Sequence, residues 1–286
     1  MSQIRQLLSD SVIYGIGYIG ARLVTFFLVP YHTDIFPREM YGVFGLSMVF
    51  IGLVQIIFRF GSDFSLIRHY ELAEGAEEKR LIFSSTFWPL IFTSIILSII
   101  ILLSRQPLSY ALFGTISYAY LFFYLVPIIF IDTFVILSKT LLRLQERPIY
   151  FSAVNILNVI ITFGLNIYFI SGLGMGIEGA FLANVVASAV MFLSLLPAIL
   201  GELRFRFSLN EYRKILVFGL PLIASGLASM IMELINRPIL QWLTDLETVG
   251  LYNAGAKLGI FMMLVTTAFN FAWQPFFMKA GQTESG

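Results

Sequence analysis

The chain has 286 residues, 58% of them hydrophobic and only 12% charged, with a net charge of +1 and a mean hydropathy of +0.86. A water-facing domain carries about 25% charged residues, so a soluble globular protein is excluded and the sequence belongs in the membrane class. There is no cysteine, which rules out disulfide frameworks, thiolate metal sites and cysteine nucleophiles; the net charge itself points to no partner, and no nucleic acid is expected.

A helix needs about 20 apolar residues to cross the hydrocarbon core. Eight segments meet that length, in chain order 11–33, 41–60, 81–103, 112–136, 150–170, 178–200, 214–236 and 250–272. The first ends in VPYHTD without a small-residue cleavage site and reads as a retained helix, not a signal peptide. FPREMYG closes the first loop, ELAEGAEEKR is a charged linker, and RLQERP stops the fourth span at a proline. SGLGMG is a tight glycine turn and GELRFRFSLNEYRK a basic linker. The expected fold is all-α, a polytopic integral membrane protein of about eight transmembrane helices.

Orientation follows from Lys and Arg in the loops. With the N-terminus in the cytoplasm, that side gathers Arg5, the group from Arg59 to Arg80, then Lys139, Arg143 and Arg147, the run from Arg204 to Lys214, and Lys279; the outside holds only Arg38, Arg105 and Arg237. A multi-pass protein with both termini cytoplasmic is expected.

The sequence also repeats itself. YGIGYIGARL through EMYGVFGLSMVF matches FGLPLIASGL through ETVGLYNAGAKLG, pairing Gly15 with Gly219 and Gly42 with Gly250. Six spans separate the two starts, an even number, so the repeats are parallel, as in transporters whose halves are related by an axis along the membrane normal. This divides the chain into a first six-helix lobe, 1–208, and the opening two helices of a second, 209–286.

Two charges lie inside spans. Arg22 stands in a stretch whose nearest other charges are Asp10 and Asp34. A charge at mid-bilayer costs roughly 3 kcal/mol or more, and Arg22 is about 16 Å from either helix end at 1.5 Å per residue, too far to snorkel. Lys257 is nearer the outer end of the eighth span, where snorkelling competes with function. Polar stripes follow helical spacing: Gln55, Arg59 and Asp63 on the second span, Asn155, Asn158, Thr162 and Asn166 on the fifth, and Ser225, Ser229, Glu233 and Asn236 on the seventh. Hydrogen bonding between helices accounts equally well for the asparagines. Glu233 reads as a cavity group or as the partner of Lys257, and Asp132 as an interface residue in the last turns of the fourth span, near Lys139. The candidate cavity set is Arg22, Lys257, Arg59, Glu233, Asn155 and Asn158. Cations in a low-dielectric cavity attract anions, and a guanidinium can hold a phosphate in bidentate fashion.

Several stretches resemble the Wzx-type O-antigen and capsule flippases of the multidrug/oligosaccharidyl-lipid/polysaccharide exporter superfamily. EMYGVFGLSMVF resembles the start of that family's second helix, and RFGSDFSLIRHY its helix-end motif, here Gly61, Asp63 and Arg68. LLRLQERPIYFSAVNILNVI, GLGMGIEGAFLANVVASAV, MELINRPILQWLTDLETVGLYNAGAKLG and AFNFAWQPFFMK resemble later stretches in the same order. Where relatives carry an acid before the arginine, this chain has Asn236 before Arg237.

The resemblance implies an inner-membrane protein that carries an undecaprenyl-pyrophosphate-linked oligosaccharide between leaflets by alternating access, without a cofactor. Its partners would be that glycolipid and membrane lipid, with a membrane partner or further C-terminal helices completing the second lobe. By position, Arg22 and Lys257 would meet the pyrophosphate or acidic sugars. Arg59 would mark the cytoplasmic entrance with Asp63 as its partner, and Arg68, Asn236 and Arg237 would be structural or entrance residues.

Rival readings are a drug or cation exporter of the same superfamily, which needs acids deep in the first lobe, a lipid II-type flippase, and a non-transporting partner. An enzyme is not expected: the predicted outside loops are short, His32 and His69 fall on opposite sides, and no H-E-x-x-H, G-x-S-x-G or Walker A motif occurs.

Overall fold

The computed structural model describes residues 28–256 and residue 259. Among them are helices and connecting turns with no strand: α1 (28–35), α2 (Arg38–Arg59), α3 (Ser62–Leu72), α4 (Ala76–Leu103), α5 (Arg105–Phe113), α6 (Phe122–Leu144), α7 (Pro148–Ile167), α8 (Gly176–Glu202), α9 (Leu209–Leu234), α10 (Asn236–Leu243) and α11 (246–256). Six segments of the described chain are long and apolar enough to cross a membrane. They correspond to the second through seventh predicted spans. Most of the first and eighth lies outside the described residues, with α1 and α11 showing an end of each.

Two expectations are corrected. The fourth span was placed at 112–136, but the chain crosses at Ala119–Leu144. Gly114, at φ +76°, ends the short helix α5, and only after a turn at Ala119–Leu121 does α6 begin. The helix then continues through SKTLLRL, past the point where its apolar run fades. Second, α2 does not give way to a loop at residue 60. Phe60 and Gly61, both at positive φ, bend the chain into α3, which carries the motif FSLIRHY as helix.

The helices α6 and α8 form the centre, with α7 packed on α8 and α2 on α6. Their apolar side chains make two separate clusters. One, near the N-terminal end of α2, gathers Phe44, Leu121, Phe122, Leu125, Ile129 and Phe181; the other gathers Leu66, Phe83, Phe134, Leu137, Leu141 and Leu195. In the orientation that the charge distribution predicts, the first is the outer cluster and the second the inner.

The internal repeat meets itself in space. A Cβ on Gly42 would strike the Leu246 carbonyl oxygen, and one on Gly250 would strike the Arg38 carbonyl oxygen. Arg38 and Leu246 are 208 residues apart, as are Gly42 and Gly250, so equivalent residues of the two repeats make equivalent contacts across a local two-fold. Gly45 faces Asn253, again its equivalent. The α2–α11 crossing is therefore a backbone contact that only glycine permits. Beside it, Arg38 pairs with Glu247 at 3.1 Å on the exposed rim. At the other end of α2, Gly61 meets the Gly219 backbone of α9, and the Ser65 hydroxyl donates to the Ile215 carbonyl at 2.8 Å.

Tyr118, at the rim of the first cluster, has a displaced titration. The Tyr118 hydroxyl donates to Glu39 Oε1 at 2.8 Å. Burial first, and the Glu39 carboxylate second, push its phenol up to about 12. The folded value lies above the unfolded one, so the contribution to stability is complete below about pH 10 and is lost as pH rises towards 12. We expect the difference in tyrosinate absorbance between the parent and Tyr118→Phe to titrate near pH 12 and not near 10.

Candidate functional site

The polar stripe of α2 is the core of the site. Gln55 and Arg59 stand four residues apart on α2, which in a helix stacks side chains on one face, and Asp63 follows four residues on, across the Phe60–Gly61 bend on α3. Arg59 Nη1 lies 2.6 Å from Asp63 Oδ2, and both side chains are largely withdrawn from solvent. Arg59 Nε also donates to the Gln55 carbonyl at 3.2 Å. Arg59 borders a small cavity of about 10 Å³ that Ser62, Thr86, Thr93 and Tyr212 also line, which is room for about one water. The expected partnership of Arg59 with Asp63 is present.

Gln55 continues the stripe away from that pair. Its Nε2 donates to Asp132 Oδ2 at 3.2 Å, and Ser188 of α8 lies beside the same carboxylate. With the fourth span corrected, Asp132 is no longer near a helix end. It is the eleventh residue of the 23 in α6, at the middle of the membrane crossing. It also falls between the two apolar clusters, after Ile129 of the outer one and before Phe134 of the inner one. On α8, Ser188 likewise falls between Phe181 and Met191. Gln55 and Asp132 thus form a polar contact joining α2 to α6, with Ser188 of α8 beside it. Lys139 lies seven residues along the same helix as Asp132.

The other predicted residues divide plainly. Arg22 and Lys257 lie outside the described residues, and so does the side chain of Glu233, so the proposed Glu233–Lys257 pairing falls there too. Asn155 is buried and donates to the Phe151 carbonyl one turn back on α7. Asn158 is half-buried on the same helix. Asn166 donates to the Thr162 carbonyl and binds His32 Nε2 at 2.9 Å, tying α7 to α1. The asparagine stripe therefore serves helix backbone and helix–helix bonding, and the structure does not bring it to the α2 site. Arg68 stacks over Phe218 of α9 at 4.5 Å. Asn236 donates to the Tyr252 hydroxyl at 3.2 Å, and Arg237 Nε to Asn253 Oδ1 at 2.6 Å, so both pin α10 to α11.

Asp132 is what reasoning from sequence missed. The continuation of helix-forming residues through SKTLLRL was the signal that could have re-centred its span. Among the described residues no group of three or more His, Cys, Asp and Glu could hold a metal ion. The arrangement places a carboxylate bonded to α2 within a membrane span and an ion pair at the C-terminal end of α2.

Comparison with known proteins gives the same architecture. The model of the family described as "Polysaccharide biosynthesis protein" matches residues 7–280. A protein of the Lsg locus of Haemophilus influenzae is 24% identical over 96% of this chain and 67% of its own length. The structure of the MATE multidrug transporter DinF-BH superposes with a TM-score of 0.65 at 21% identity, over 91% of this chain and 61% of that one. The Vibrio cholerae MATE transporter VcmN in its bent form gives 0.65 at 14% identity, over 96% and 65%. A MOP superfamily transporter from Pyrococcus furiosus gives 0.60 at 19%, over 94% and 72%. The chain spans about two thirds of the length of these proteins.

Removing one member of the α2 ion pair should strand the other in a partly buried site. We expect Arg59→Ala and Asp63→Ala each to lower thermal stability, and the double variant to lose less than their sum by about 0.5–3 kcal/mol, as read from a double-mutant cycle of unfolding in detergent.

Proposed function

The chain belongs to the polysaccharide biosynthesis protein family, and from that premise we propose that it moves a lipid-linked oligosaccharide, its sugars joined to a polyprenyl carrier by pyrophosphate, across the inner membrane. The observation that carries this reading is the family match over residues 7–280. Arg22 within the first predicted span supports it physically, because a mid-membrane guanidinium suits a pyrophosphate. The two lobes would rock about the axis that relates the repeats, while the polyprenyl tail stays in lipid. The bias of Lys and Arg towards one set of loops supports cytoplasmic termini.

One observation favours a second reading, an exporter of organic cations. Such a protein needs an acid deep in the first lobe, and Asp132 stands at mid-membrane there. Lys139 on the same helix and the Gln55 bond to that carboxylate weigh against it.

The test is Arg22→Ala in the intact protein within its own cell. Surface polysaccharide should fall at least tenfold while the protein still inserts, and lipid-linked sugar should accumulate on the cytoplasmic leaflet. Normal surface polysaccharide from that variant would overturn the proposal.

A further inference from the structure

A carboxylate at the centre of a membrane helix is costly unless it is paired, bonded or neutralised by a proton. Asp132 accepts one side-chain bond, from the Gln55 amide at 3.2 Å, and the Ser188 hydroxyl of α8 lies beside it. A donor on a carboxylate suits its ionised form and takes up a lone pair that a metal cation would need, and that cation would also face the Lys139 charge. A proton is the cation that fits.

The charged groups on every element packed against this site are few. On α6 they are Lys139 and Arg143. On α2 they are Arg59, one turn beyond Gln55, and the residues of the first turn, Arg38 and Glu39. On α3 they are Asp63, Arg68, His69 and Glu71, all beyond the α2 bend, and on α4 Glu77, Glu78, Lys79 and Arg80 in its first turn. On α8, Glu178 and Glu202 stand at the two ends, and α7 carries none. The cations nearest Asp132 along these helices are therefore Lys139, two turns along α6, and Arg59, one turn beyond Gln55 on α2.

What the carboxylate holds is α2. That helix runs unbroken from Arg38 to Arg59. Gln55 grips Asp132 near one end, and Arg38, Gly42 and Gly45 make the crossing with α11 at the other. Thirteen residues separate Gln55 from Gly42, a lever of about 20 Å at 1.5 Å per residue.

We propose that Asp132 is a proton-binding site at the middle of the membrane, and that its occupancy sets, through Gln55, the hold of the bundle on α2 and so the α2–α11 crossing between the repeats. The step is a simple acid–base exchange: one carboxylate oxygen takes a proton from water and later returns it, with no other bond made or broken. The ionised carboxylate accepts a charge-assisted bond from Gln55, about twice as strong as a neutral one. Protonation converts it to a neutral bond and loosens α2. The inference rests on the transport reading for its purpose and not for its geometry.

The experiment uses the absence of native cysteine. Spin labels placed by Asp34→Cys and Thr244→Cys sit on exposed positions beside the two sides of the crossing. Distances are read by electron–electron resonance in the full-length protein in lipid discs at about pH 3 and about pH 8, a window that brackets the ordinary aspartate value. The parent should shift its distance distribution between the two. Asp132→Asn should give the acid distribution at both, and so should Gln55→Leu, which keeps the carboxylate but removes its grip. The Gln55→Leu result carries the test if Asp132→Asn does not fold.

An unchanged distribution in the parent would overturn the proposal. So would a shift that survives in both variants, which would assign the pH response to another group such as His32. An Arg22→Ala protein that fails to export yet keeps the shift leaves this inference standing. One that exports normally and keeps the shift removes the glycolipid reading alone.

Discussion

The arrangement of this chain depends on how closely two helices can approach. At the α2–α11 crossing the backbones come within a distance that leaves no space for a Cβ, at Gly42 against Leu246 and at Gly250 against Arg38. Without a hydrophobic driving force between helices in lipid, close packing and the polar bonds it brings within reach must supply the association. Here the contact is made twice, by equivalent residues of two parallel repeats. The Gly61–Gly219 contact repeats the device between α3 and α9. A parallel duplication that meets itself at glycines has a symmetry axis along the membrane normal, and motion of the halves about that axis is the natural degree of freedom.

The second constraint is the bilayer's intolerance of unsatisfied polar groups. Serine, threonine and asparagine side chains in the spans mostly return to their own helix backbone, as Ser47, Thr86, Thr133, Ser138 and Asn184 do. The Gln55–Asp132 bond is different, since it links two helices through a carboxylate within a membrane span. Such a polar contact costs stability that an apolar layer would not. Its position on the helix that also makes the repeat crossing is why we assign it a role beyond packing.

Much of the fold was legible because hydrophobic length is a strong signal. The second, third, fifth, sixth and seventh predicted spans fall within a few residues of the helices, and Gly42 and Gly250, paired from sequence alone, meet in space. The fourth span was misplaced because its apolar run begins before Gly114 and ends before the helix does; Lys139 and Arg143 look like a loop by hydropathy although they sit on a continuous helix. That error concealed the depth of Asp132. The Arg59–Asp63 pair was readable from spacing on one helix. Gln55–Asp132 was not, since its partners are 77 residues apart and spacing carries no information about which helices pack. The asparagines of α7 had two readings from sequence, and the hydrogen bonds of Asn155 and Asn166 select the packing one.

The most direct measurement is an oxidative cross-link between Gly45→Cys and Asn253→Cys, equivalent positions of the repeats, in the intact membrane protein, which has no native cysteine among residues 1–286. The account predicts a bond forming readily between these two and not between Met48→Cys and Asn253→Cys, one turn along α2. Equal cross-linking in both pairs, or none at 45 and 253, would contradict a crossing in which the two repeats meet at matching residues.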